Sequence, residues 1–138
     1  MRFNLTYRWL AGLVVTALLV SGIGWIAADQ WKVGPDGEFW QRCIATSLMI
    51  HGGAAMVALL LLGALIESHM RRAWRVRRNR FTGTVMTLVN GFLVVSAFAL
   101  YYNGSETLRP WISNAHIIGG LALPLLVILH ILVGRRSR

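Results

Sequence analysis

The sequence predicts an all-α fold: a four-helix transmembrane bundle running up, down, up, down, with both termini in the cytoplasm. Three observations predict it. The chain has four long apolar runs, its Asp, Glu, Lys and Arg residues are confined to the segments between and beyond those runs, and its basic residues gather on one side. The 138 residues are 56% hydrophobic with a mean hydropathy of +0.57, too apolar for a water-soluble domain of that length. Its length fits one domain, residues 1–138.

A hydrocarbon layer of about 30 Å needs about 20 residues of helix at about 1.5 Å each. Four runs meet that requirement: 10–28, 44–66, 81–100 and 111–133. None carries an ionisable acid or base of the Asp, Glu, Lys or Arg type in its interior, where such a charge costs several kcal/mol at least (about 3 on the lowest scales). Strands are excluded because the apolar runs are continuous and not alternating.

The formal charge of +9 suggests nucleic acid in a soluble protein, but here it reads as a topology signal, and no nucleic-acid partner is expected. Eleven of the fourteen basic residues, namely Arg2, Arg8, Arg71, Arg72, Arg75, Arg77, Arg78, Arg80, Arg135, Arg136 and Arg138, fall on one side. Lys32, Arg42 and Arg109 fall on the other, with Asp29, Asp36, Glu38 and Glu106. The positive-inside rule then places the termini and the 67–80 loop in the cytoplasm. That loop reads first as a topology signal and second as a contact for anionic lipid or an acidic protein. Trp9, Trp25, Trp31, Trp40, Trp74, Tyr101, Tyr102 and Trp111 lie near run ends, where amphipathic rings settle at headgroup level.

The first 30 residues have the outline of a secretory signal, but the apolar part is long enough to span, so a retained first helix is expected. Gly34-Pro35-Asp36-Gly37 predicts a turn in the outer loop 29–42, and Pro110 suits the start of the last helix. The single cysteine, Cys43, excludes an internal disulfide or a cysteine-based metal cluster. The Asn103-Gly104-Ser105 sequon carries no weight.

The four histidines, His51, His69, His116 and His130, all belong to the second and fourth runs or their ends. An imidazole at membrane depth needs a partner and is a functional candidate. The 18-residue step from His51 to His69 closes five turns at about 100° per residue, and the 14-residue step from His116 to His130 falls about 40° short of four. Each helix therefore carries two imidazoles on one stripe. Topology pairs them by depth, His51 with His116 toward the outer side and His69 with His130 toward the cytoplasm. The second and fourth helices of such a bundle are diagonal and run the same way, so a planar macrocycle between them takes one axial nitrogen from each. Haem b held by histidine on both sides suits electron transfer. All four histidines are candidate metal ligands, with two haems expected and one at minimum.

Gly52, Gly53, Ala54 and Ala55 follow His51, and Gly119 and Gly120 follow His116, small residues that admit a ring at close range. Gly119 and Gly120 are accordingly candidate cofactor contacts, although small residues also serve helix packing. Pro124 is placed to bend the last helix between its histidines. The two intervals imply axial separations of about 27 Å and about 21 Å, a mismatch that tilt recovers only in part.

The motifs "LMIHGGAAM", "ESHMRRAWRVRRNRFTG" and "NAHIIGGLALPLLVILHILVG", in a chain of this size, resemble those of the small flavinylation-associated bacterial cytochromes. The ligand plan is similar to that of the cytochrome b subunit of quinol:cytochrome c reductase, whose di-haem core uses its second and fourth helices. The resemblance implies two haems b in a bacterial inner membrane, exchanging electrons with a membrane quinone and with other redox subunits on the outer face. The 18-residue interval departs from the shorter one usual in that group. Arg109 is the leading candidate for a haem propionate, ahead of Arg42, Arg71, Arg72 and Arg135, because a guanidinium grips a carboxylate with two N–H groups.

Two other readings compete. A structural or assembly subunit would use the histidines in hydrogen bonds between helices. A transporter would normally add carboxylates inside the spans, and none is present. Asn90 and Tyr101-Tyr102-Asn103 offer hydrogen bonds to a quinone but are explained equally by packing and interface anchoring. Whether the chain is itself an enzyme depends on such a site. No nucleotide-binding motif is present, so NADH oxidation would require partner proteins.

Overall fold

The computed structural model describes residues 5–77 and 79–136, the side chain of Arg136 excepted. Arg2, Arg78 and Arg138, counted above as topology signals, lie outside the described residues or, like the Arg136 side chain, outside what is described of them. Four helices are long and apolar enough to cross a membrane, and no strand occurs among the described residues. The protein is an all-α, multi-pass membrane protein. Helix α1 spans Leu5–Trp31 and α2 spans Gly37–Leu65. A π-helical turn, Ile66–Met70, leads into the short α3, Arg71–Arg75. Helices α4, Arg80–Tyr102, and α5, Leu108–Arg136, complete the chain.

Each helix is longer than its apolar run. The hydrocarbon layer sets only the minimum, and polar residues beyond it continue the helix into the headgroup region. Two predicted loops shrink as a result. The 29–42 loop is reduced to the turn at 32–36, closed by the Gly37 N–H donating to the Gly34 carbonyl at 3.0 Å. The 67–80 segment, expected as a loop, stays helical through Arg75. Its reversal is made at Arg77 and Asn79, both with positive φ of 55° and 50°. The Arg80 guanidinium fastens it, donating to the Trp74 carbonyl at 2.8 Å and lying 4.9 Å from the Trp74 ring centroid.

The chain forms two compact units, 1–66 and 67–138. In the first, α1 and α2 are antiparallel neighbours. Residue numbers fall along one helix as they rise along the other: the Tyr7 hydroxyl donates to the Leu61 carbonyl at 2.9 Å, Ser21 meets His51, and Gly24 lies against Ser47. In the second, α4 and α5 pair the same way, through Ser96 with His116, Thr82 with His130 and Asn79 against Gly134. Among the described residues Val14, Ala28, Ser21 and Ser96 are buried, while Leu13, Leu60, Phe81, Val95 and Leu125 stand among many exposed large apolar side chains. Such an apolar exterior would drive association in water; against acyl chains it is the expected surface.

Candidate functional site

The histidines are built into the helix pairs by hydroxyl groups. In the first unit, His51 Nδ1 and Ser21 Oγ are 3.0 Å apart in a hydrogen bond. The ring lies over Gly22, where a Cβ would sit 3.5 Å from its Cε1, so α1 offers a shallow seat beside the hydroxyl. In the second unit, His116 Nδ1 bonds Ser96 Oγ at 2.8 Å, and His130 Nδ1 bonds Thr82 Oγ1 at 2.9 Å. Ser21 and Ser96 are only 6% and 5% exposed, and the rings of His51, His116 and His130 are half-buried.

The second unit repeats one arrangement twice. His116 and His130 are 14 residues apart on α5, and their partners Thr82 and Ser96 are 14 residues apart on α4. Equal intervals on antiparallel helices keep both couples in register, at levels about 21 Å apart. Sequence reasoning passed over Ser21, Thr82 and Ser96. The matching 14-residue interval of hydroxyls in the preceding run was the available signal.

His69 and His130 come together within the second unit. Their ring centroids are 6.4 Å apart and the planes are inclined at 82°. The π turn holds His69. A turn closed between residues i and i+5 winds more slowly than an α turn, so the 18-residue step from His51 to His69 does not close five even α turns, and the assumption of uniform winding is corrected there.

The spacing can be compared with that of two imidazoles sharing a metal. A five-membered ring with bonds near 1.33 Å has its nitrogens roughly 1.15 Å from the centroid, and a metal–imidazole bond is about 2.0–2.1 Å. Collinear ligation therefore puts the centroids about 6.3–6.5 Å apart. Among the described residues, no group of three or more His, Cys, Asp or Glu is placed to hold a metal ion. Two imidazoles alone suit a metal that brings its other donors with it, as haem iron does with four pyrrole nitrogens.

The remaining sequence candidates divide. Gly119 faces α4: a Cβ there would lie 3.1 Å from Phe92 Cε1 and 3.3 Å from Leu93 Cδ2, so its smallness serves the α4–α5 contact. Gly120 has nothing within 4 Å of such a Cβ, nor have Gly52 and Gly53. Arg109 Nη1 donates to the Leu100 carbonyl at 2.8 Å and the Asn103 carbonyl at 3.4 Å, fastening the end of α4 to the start of α5. Arg42 pairs with Glu38 at 2.6 Å and Arg71 with Glu67 at 2.8 Å. Asn90 Nδ2 donates to the Met86 carbonyl of its own helix at 2.8 Å. Pro124 lies inside an α5 that runs on past it. Comparison with known protein families, with curated proteins and with solved structures gives no match.

Proposed function

We propose that this protein is a di-haem b cytochrome subunit of a bacterial inner membrane, carrying electrons across the bilayer between the quinone pool and a redox partner. The observation that supports it is the 6.4 Å separation of the His69 and His130 rings, a spacing at which both imidazoles would reach one metal. These two residues would hold the inner haem, wholly within the second unit. His51 and His116 enter as ligands of an outer haem on the depth-matching argument from sequence. Haem b held by these residues would supply one-electron transfer. The chain's own contribution is to grip and orient the ligands, and to wrap the path in an apolar exterior. Arg109 retains N–H donors besides Nη1 for a propionate, and partner subunits supply the donor or acceptor.

A second reading has its own support. The same ring separation lies within the roughly 4.5–7 Å of edge-to-face ring pairs. The Ser21, Ser96 and Thr82 bonds also satisfy three histidines without any cofactor. That reading is a structural or assembly subunit. A spectrum separates them. The purified, dithionite-reduced protein is expected to show sharp low-spin b-type bands with acid-extractable haem. A colourless preparation of full helical content, obtained with haem supplied during expression, would sink the cytochrome reading.

A further inference from the structure

Resting on the cytochrome reading, we propose that Ser21, Ser96 and Thr82 are positioning residues. Their hydroxyls hold His51, His116 and His130 in the Nδ1–H tautomer and so present Nε2 as the electron-pair donor to a metal.

A serine or threonine hydroxyl has one proton to give and two lone pairs with which to accept. Ser21 Oγ gives its proton to its own helix, lying 2.6 Å from the Ala17 carbonyl and 3.2 Å from that of Leu18. A carbonyl can only accept, so the 3.0 Å bond to His51 Nδ1 must be donated by the ring. Ser96 and Thr82 repeat the pattern. Ser96 Oγ donates to the Leu93 carbonyl at 3.2 Å and faces His116 Nδ1 at 2.8 Å. Thr82 Oγ1 donates to the Asn79 carbonyl at 3.3 Å and faces His130 Nδ1 at 2.9 Å. The 2.6 Å bond to Ala17 gives the Ser21 proton to the helix carbonyl; the same placement of the proton in the other two couples turns a lone pair to each ring.

A neutral imidazole protonated at Nδ1 carries its lone pair on Nε2. An acceptor at Nδ1–H fixes the ring's orientation and raises its basicity as a ligand. More basic histidine ligands would favour ferric over ferrous iron and so lower the reduction potential of a bound haem. Packing alone needs no particular tautomer, yet three couples in two helix pairs set an imidazole Nδ1 against a hydroxyl that also meets a carbonyl of its own helix.

The test has two parts, both on the full-length chain in detergent. Protein prepared without haem and labelled with 15N at histidine is expected to show the Nδ1–H tautomer at His51, His116 and His130, assigned by single histidine variants. Dominance of Nε2–H at these sites would overturn the proposal directly. In haem-loaded protein, Thr82→Val keeps the shape and removes the hydroxyl, while Thr82→Ser keeps the hydroxyl. The Val variant is expected to move one b-type component to a more positive midpoint potential and to weaken haem retention on the order of tenfold; the Ser variant is expected to match the wild type. Ser96→Ala provides the same reading at the other level should Thr82→Val not fold. Haem present with all potentials unmoved rejects the positioning role and leaves the cytochrome reading standing. A colourless wild type removes the cytochrome reading, and with it any role toward iron.

Discussion

The two helix pairs handle the same problem with different regularity. Among the described residues the α1–α2 pair holds one hydroxyl–imidazole couple, Ser21 with His51, and a further long-range polar bond runs from Tyr7 to a backbone carbonyl. The α4–α5 pair holds two couples at a common interval, and its unit contains His69 as well. Three of the four histidines thus belong to the second unit. The difference teaches that histidine spacing carries limited information alone. It becomes specific when the facing helix repeats it.

The largest effect expected from breaking this asymmetry is on haem content. In the proposed scheme His51→Leu removes about half of the bound haem and leaves the component held by His69 and His130 unchanged. The pair of changes His116→Leu with His130→Leu, both on α5, removes all of it. Haem extraction and the reduced spectrum of each variant check this; equal loss from the single and double variants would break the comparison.

Next in size are the close approaches between helices. Gly119→Val drives a side chain into Phe92 and Leu93, which stand 3.1 and 3.3 Å from a Cβ, and is expected to cost about 1–3 kcal/mol of stability. Gly22→Ala meets the His51 ring only at 3.5 Å and gains helix propensity of up to about 1 kcal/mol, so its melting temperature in detergent should equal or exceed that of the parent. A destabilised Gly22 variant beside a neutral Gly119 variant would invert the picture. The smallest effect is expected at the exposed ion pair of Glu67 and Arg71, with side chains 73% and 67% exposed. Glu67→Gln should shift stability by no more than about 0.5 kcal/mol, measured by the same thermal unfolding.

The four helices were legible in the sequence because lipid imposes a simple rule: a run of about 20 apolar residues with no interior charge must hide its backbone in a helix. Their ends were less so. Gly37 to Cys43 and Glu67 to Arg75 are helical although polar residues interrupt them, since helix continues past the hydrocarbon layer wherever nothing stops it. The π turn at Ile66–Met70 has no mark in hydropathy, which registers residue type and not winding. The histidines were evident by residue type, whereas Ser21, Thr82 and Ser96 resemble every other small hydroxyl that a membrane helix tolerates. Gly119 and Gly120 are adjacent and identical in composition, yet only the first has a neighbouring helix against it, a distinction that needs the rotation of α5 about its axis.

Two of the four buried residues among those described are serines, and many large aliphatic and aromatic side chains are exposed. Each helix pair thus shelters an oxygen-bearing side chain, while its large apolar side chains stand open, the reverse of a water-soluble protein. An agent that dissolves hydrocarbon finds its preferred target already on the outside and leaves the helix pairs joined. Separating them calls for a competitor that can reach a secluded hydroxyl and offer it a better bond.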